Sequence, residues 1–291
     1  MRKRKGLRTA EIPGDEPARI GGQSSRSIIG HGLITLSTIF RELVIRKILM
    51  KAVVLAGGQG TRLKGIIKDI PKPMAPIGNK PFLEYIIRQL RKAAISEIVI
   101  STGYRADVIK SYFGNGEKLN VLISYSEEIE PLGTGGAIKK ALKTIDDENV
   151  IVMNGDSFLE MNFHKLMAFH NDHNASVTIG LMFMEDAGRY GAAQVNDKGE
   201  IISFTEKGAR RKGFINGGIY VTNRKIVDCI PDGPVSLEKD VFPLLLKRGL
   251  YGLSVSGLFI DIGVPEDYLR LRDNPGNLNL ILERNGSKNE S

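Results

Sequence analysis

Lys51-Ala52-Val53-Val54-Leu55-Ala56 is a short, almost unbroken apolar run that passes directly into Gly57-Gly58-Gln59-Gly60. Such a run, bounded by glycines and lacking polar alternation, is the pattern of a strand buried on both faces. Glycines at its carboxyl end let backbone N–H groups approach an anion with no Cβ in the way. Arg62 stands two residues beyond the last glycine, and Lys72 ten beyond that, between Pro71 and Pro73. Both side chains supply positive charge for phosphate oxygens. The spacing fits neither G-x-G-x-x-G nor G-x-x-x-x-G-K-[ST]. The glycines alone are equally an ordinary strand-to-helix turn. With Thr61-Arg62 and Pro71-Lys72-Pro73 in register, the chemistry points to a nucleoside triphosphate.

Downstream, strand-like runs alternate with helical ones. Glu97–Thr102, Val121–Ser126 and Val150–Met153 read as strands, and Phe82, Ile86, Leu90 and Ala93 form an apolar stripe at helical spacing. Ala137–Leu142 and Phe163–Phe169 read as further helices. This alternation predicts a doubly wound α/β sheet with ligands beyond the carboxyl ends of its strands. After Asn174, Ser176–Met184, Ile201–Thr205, Phe214–Thr222 and Tyr251–Ile262 read as strands of an antiparallel portion. Ser236–Leu246 reads as a helix with Ser236 as its N-cap. No internal repeat is visible and no hexapeptide array follows, so no C-terminal β-helix is expected.

The motifs Leu55-Ala56-Gly57-Gly58-x-Gly60-Thr61-Arg62-Leu63 and Pro71-Lys72-Pro73-Met74 resemble the signature of the sugar-1-phosphate nucleotidyltransferases. The resemblance spans roughly residues 50–273. It implies a Rossmann-like α/β/α fold with a mixed sheet and Mg²⁺-dependent transfer of a nucleotidyl group to a sugar 1-phosphate, with release of pyrophosphate. It implies nucleotide contacts from Leu55, Ala56, Gly57, Gly58, Gly60, Thr61, Arg62 and Lys72. Gly133 and Thr134, in Pro131-Leu132-Gly133-Thr134-Gly135-Gly136, match the base-binding loop, a turn that on its own equally reads as plain helix entry. An aspartate in Asn154-Gly155-Asp156 is by spacing alone more often a turn or cap residue. The resemblance instead places the two Mg²⁺ ligands on Asp156 and Asp261. It gives Arg62 to the β- and γ-phosphates, Lys72 to the region of the α-phosphate and Lys207 to the acceptor phosphate. Gly191, Glu206, Asn216 and Gly217 fall on the sugar side, although Asn216-Gly217-Gly218 is also an ordinary β-turn pattern. Gly208 replaces the proline that many relatives carry after the Glu-Lys pair.

The loop at Pro131 and Ser236-Leu237-Glu238-Lys239-Asp240-Val241-Phe242-Pro243 resemble the guanylyltransferases, those acting on D-glycero-D-manno-heptose 1-phosphate first. The mannose 1-phosphate enzymes come next and the N-acetylmuramate 1-phosphate uridylyltransferases third. The expected partners are therefore GTP and a heptose 1-phosphate. A glycosyltransferase would need a D-x-D metal motif, which the chain lacks. A non-catalytic sugar-nucleotide sensor would have no need of Arg62, Lys72, Asp156, Lys207 and Asp261 together. His164, His170 and His173 share one helix and are expected on its solvated face, not at a metal.

The formal charge of +8 over 291 residues is concentrated at one end. Residues 1–49 hold ten Lys/Arg and four Asp/Glu, leaving 31 against 29 in the remainder, so no nucleic-acid surface is expected. This segment reads as a disordered basic extension, with native translation expected to start at Met50. A short amphipathic helix from Leu33 to Val44 is the alternative, and the spacing does not suit a targeting peptide. Residues 274–291 read as a polar, frayed tail. There is no apolar run long enough to span a membrane and a single cysteine, Cys229, so a cytoplasmic protein is expected. The oligomeric state is left open, a homo-oligomer included.

Overall fold

The structure, a computed structural model, describes residues 50–283 apart from 59, 61, 62, 64, 68, 206, 207 and 209–211. The expected extension at residues 1–49 lies outside the described residues. The first strand, β1, is Lys51–Ala56. It is followed by the small β2 (Pro76–Ile77) and β3 (Lys80–Pro81) hairpin and by helix α1 (Phe82–Lys92). Next come β4 (Glu97–Thr102), α2 (Ala106–Phe113), β5 (Leu122–Glu127), α3 (Gly133–Leu142) and β6 (Asn149–Asn154). Then follow β7 (Ser157–Leu159), α4 (Phe163–Asp172), β8 (Val177–Met184), β9 (Ala192–Val195), β10 (Ile201–Thr205) and β11 (Gly213–Asn223). The chain continues through α5 (Phe242–Leu245), β12 (Leu250–Val255), β13 (Phe259–Asp261), α6 (Pro265–Asp273) and α7 (Gly276–Glu283).

Among the described residues the main sheet has nine strands, and its path runs β10-β9-β11-β6-β1-β4-β5, with β8 joined to β11 and β12 to β8. Strands β6, β1, β4 and β5 are parallel. Both faces of β1 and β6 are buried: Val54, Ile151 and Met153 pack on one side with α1, α2 and α4, while Val53, Val150 and Val152 pack on the other with α3. That two-sided burial is why these strands read as continuous apolar runs.

Several expectations change in the second half. Tyr251–Ile262 is not one strand. It divides into β12, in the main sheet, and β13, which pairs with β7 in a separate two-stranded sheet. Nor is this region wholly antiparallel, since β12 runs parallel to β8 while β11 runs antiparallel to β6 and β8. The helix expected over 236–246 is a π-type turn, Leu237–Val241, followed by the short α5. Ser236 does cap it, accepting a hydrogen bond from the Lys239 N–H. The frayed tail is in part a helix. In α7, Leu278 is fully buried and Ile281 nearly so, and the Ile281 carbonyl accepts a hydrogen bond from Lys92 of α1 at 2.5 Å. Residues beyond 283 lie outside the described residues. No helix among the described residues is long and apolar enough to cross a membrane.

The histidines divide. His164 is exposed, but His170 is buried beside β8, with Nδ1 3.0 Å from the Thr178 hydroxyl and Nε2 3.3 Å from Asn149 Oδ1. Phe163, Leu166 and His170 form the buried stripe of α4, which places the imidazole in the core.

Candidate active site

The site forms where the carboxyl ends of β1, β6 and β13 converge. Gly155 N–H donates to the Leu55 carbonyl at 2.8 Å, tying the end of β6 to the end of β1. Asp261 pairs with Ser157 across the β13–β7 ladder, and the Ile262 N–H donates to the Asp156 carbonyl at 3.1 Å. These two small ladders carry Asp261, distant in sequence, to the side of Asp156.

Lys72 completes the cluster. It opens a 3₁₀ turn, Lys72–Met74, whose Pro73 and Met74 are buried. Its ammonium lies 2.6 Å from Asp156 Oδ2 and 3.9 Å from Asp261 Oδ1, with the side chain only 13% exposed. One Asp261 oxygen also accepts the Gly263 N–H at 2.7 Å. Two carboxylates thus face one fixed cation. A carboxylate pair is the donor set a hard divalent ion takes when phosphate and water complete its shell. Among the described residues no group of three or more His, Cys, Asp and Glu gathers as a metal cage. The residues present suit an ion shared with an anionic substrate, not a protein-only metal site.

A cavity of about 460 Å³ opens in front of this cluster, lined by Leu55, Gly57, Gly58, Gly60, Lys72, Glu128, Gly133, Thr134, Asn154 and Asp156 among others. Most of the expected nucleotide residues therefore line this one cavity. Ala56 is buried behind the loop. Thr61 and Arg62 lie outside the described residues. Gly133 opens α3 with φ +67°, and a Cβ there would meet the Val235 carbonyl, so glycine at this position is demanded by the neighbouring segment as well as by any ligand. The Thr134 hydroxyl donates to Glu238 at 3.0 Å and accepts the Leu237 N–H at 2.8 Å, which clamps the entry of α3 to the π-turn.

A second cavity, about 630 Å³, lies beyond Asp261 and is lined by Arg189, Tyr190, Phe259, Asp267 and Arg270 among others. Burial, then the negative charges of Asp261 and Asp267, push the Tyr190 hydroxyl up to about 12. Arg189 pairs with Glu266 and Asp267. The acid pair thus sits at the boundary, Asp156 on the first cavity and Asp261 on the second.

Of the expected sugar-side residues, Gly191 adjoins β9, whose Ala192 and Ala193 pair with Thr205 and Phe214, and Asn216 and Gly217 lie in β11. Gly191 closes the turn from Ala187, donating to its carbonyl at 3.1 Å. Asn216-Gly217-Gly218 is not a turn but a register shift within β11. The Asn216 side chain is engaged there, donating to the Tyr220 hydroxyl and accepting the Gly218 N–H, both at 2.9 Å. The side-chain position of Gly217 is filled by Leu159 of β7. Glu206 and Lys207 lie outside the described residues. The residue that motif reasoning passed over is Glu128, between β5 and the Pro131 loop. No periodicity marks it, and only the glycine loop opposite reveals its place.

The sequence pattern of the Nucleotidyl transferase family matches residues 51–275. The chain belongs to that family. It is 42% identical over 221 residues to a D-glycero-α-D-manno-heptose 1-phosphate guanylyltransferase of Aneurinibacillus thermoaerophilus, covering 75% of this chain and 95% of that protein. It is 44% identical over 220 residues to the protein of the same name from Campylobacter jejuni, covering 75% and 97%. Among solved structures, HddC from Yersinia pseudotuberculosis complexed with GMP-PN superposes with a TM-score of 0.69 at 35% identity, covering 77% of this chain and 99% of that one. The family's mixed α/β architecture is the one described above.

Proposed function

We propose that this protein transfers a guanylyl group from GTP to D-glycero-α-D-manno-heptose 1-phosphate, releasing pyrophosphate and forming a GDP-heptose. The observation that carries the reading is the convergence of Lys72, Asp156 and Asp261 at the mouth of a glycine-lined cavity. The choice of base and sugar rests on likeness to the two heptose 1-phosphate guanylyltransferases.

A phosphate oxygen of the sugar 1-phosphate attacks the α-phosphorus of GTP, and the bond from that phosphorus to the bridging oxygen of the β-phosphate breaks. The electron pair leaves with pyrophosphate. The nucleophile is already an anion near neutral pH, so no general base is required. The barrier is repulsion between anions and growing charge on the leaving group, which positioned cations lower. Lys72 serves the α-phosphate, Arg62 the β- and γ-phosphates, and Lys207 the acceptor phosphate. Asp156 and Asp261 would hold Mg²⁺, which when bound neutralises phosphate charge. The cavity beyond Asp261 takes the sugar, placing donor and acceptor on opposite sides of the acid pair. Such a reaction belongs to the cytoplasm, where nucleoside triphosphates are available.

The test is pyrophosphate release with each of the four NTPs against heptose, mannose, glucose and N-acetylmuramate 1-phosphates. The expected result is the highest kcat/KM for GTP with the heptose phosphate. Preference for mannose 1-phosphate or for UTP would overturn the substrate assignment, and no turnover of any pair would overturn the enzymatic reading.

A further inference from the structure

The Lys72 side chain runs between two glycines that lie far apart in sequence. At its root stands Gly60, the last glycine of the phosphate loop, with φ +57°. A Cβ there would lie 2.8 Å from the Lys72 Cβ and 3.6 Å from its Cα and Cγ. At its tip stands Gly263, two residues after Asp261. A Cβ on Gly263 would lie 2.4 Å from Lys72 Nζ and 2.7 Å from Asp261 Oδ1. That oxygen is the one that accepts the Gly263 N–H at 2.7 Å and faces the ammonium at 3.9 Å.

The glycines around the site thus have different uses. Gly57 makes room for Glu128, whose Oε1 would stand 2.5 Å from a Cβ. Gly58 has nothing within 4 Å of the position a Cβ would take, so its side of the loop faces the cavity. Gly60 turns the chain in the left-handed region and admits the lysine stem. Gly263 is different again. Its φ is not positive, so the backbone there suits any L-residue. The three atoms nearest to its would-be Cβ all belong to the side chains of Lys72 and Asp261, and none to the backbone. What glycine provides at this position is therefore space for the ammonium. We propose that Gly263 is a positioning residue, whose missing side chain sets how far Lys72 reaches toward the acid pair and the reacting phosphate. This rests on the reading of Lys72 as the ligand of the α-phosphate and names what places it.

Gly263→Ala is a clean perturbation. Ordinary contact begins at 3.4 Å, so a methyl group at 2.4 Å drives the ammonium back by about 1 Å. The lysine stem is flexible and the backbone conformation accepts alanine, so the fold is kept. A misplacement of about 1 Å costs up to about 10²-fold in rate. The test measures single-turnover rates of pyrophosphate release from GTP and heptose 1-phosphate in a double-mutant cycle of Gly263→Ala and Lys72→Ala. Gly263→Ala alone should slow the reaction by about 10²-fold. Added to Lys72→Ala it should change the rate by no more than about twofold, because the group it displaces is gone. A Gly263→Ala enzyme with the wild-type rate overturns the proposal. So does a loss of equal size with and without Lys72, which is the result that a damaged backbone or a partly folded variant would give. If Lys72→Ala itself kept the wild-type rate, the α-phosphate role of the lysine would fall, and the proposal with it.

Discussion

Acidification should weaken this fold through one imidazole. His170 is 1% exposed, and burial lowers its pKa from 6.5 to about 4. Its ring nitrogens face Thr178 and Asn149, neither of which carries a charge to stabilise an imidazolium. In the unfolded chain the same histidine accepts a proton as the pH drops through the ordinary imidazole range. Between the two values the unfolded state binds a proton that the native state refuses, so stability is intact above about pH 6.5 and is lost as the pH falls toward 4. Integrated over that interval, the loss is about 1.4 kcal/mol at pH 5.5 and about 2.5 kcal/mol at pH 4.5. For a domain of this size the first figure corresponds to about 3–6 °C in Tm. Thermal melts of the wild type and of His170→Gln at pH 7.5 and 5.5 isolate the effect, because every other titrating group is common to both proteins. The wild type should lose about 3–6 °C more than the variant over that step. Identical pH slopes would show that the buried imidazole is not held neutral, and the argument from burial would fail.

Lys72→Ala should lower kcat by about 10²- to 10³-fold, the scale for one lost transition-state donor, and a change within about threefold in pyrophosphate release would remove Lys72 from the chemistry. Asp156→Asn should raise the Mg²⁺ concentration needed for half-maximal rate by more than the ~10-fold expected of an outer-shell partner, and an unchanged titration would exclude Asp156 as a ligand. Leu278→Ala, at a fully buried position in α7, should destabilise by about 2–5 kcal/mol in urea unfolding. A loss below about 0.5 kcal/mol would mean that α7 contributes nothing to the core.

The parallel half of the fold was legible because its physics is local. Lys51–Ala56, Glu97–Thr102 and Asn149–Asn154 are buried on both faces, and such strands show themselves as apolar runs without reference to their partners. The second half depends on pairings between distant segments. Nothing in Tyr251–Val255 states that its neighbour is Val177–Met182 in parallel, and the break before Phe259 appears only when β7 is there to receive it. His170 carried a readable signal, since it falls seven residues after Phe163 and four after Leu166, on the apolar stripe of α4. Its polar chemistry outweighed its position. In α7, Leu278 and Ile281 have helical spacing but were masked by the polar residues around them. Lys72, Asp156 and Asp261 were readable as motif residues, whereas Glu128, which lines the same cavity as Lys72 and Asp156, was not. It lies outside every motif, and its significance arises from a glycine 71 positions earlier against which it packs.

The charge of the cluster explains why these residues occur together. Lys72, Asp156 and Asp261 sum to one net negative charge, and the two carboxylates are drawn onto a single ammonium at 2.6 and 3.9 Å. A triphosphate brought to this point alone would meet repulsion on balance. Asp156 and Asp261 would hold a divalent cation whose charge would bring the sum to one net positive, leaving the Lys72 ammonium to serve phosphate. The Lys72 ammonium can face the carboxylates or a phosphate oxygen, and the two roles exclude each other at any instant. Removing it leaves two carboxylates facing one another, which should hold a divalent ion more tightly than before. Loss of rate in Lys72→Ala accompanied by an unchanged or lower Mg²⁺ requirement would carry the signature of a lost phosphate contact. Loss of rate accompanied by a higher requirement would instead mean that the lysine had been organising the acids, and the assignment to the α-phosphate would have to be given up.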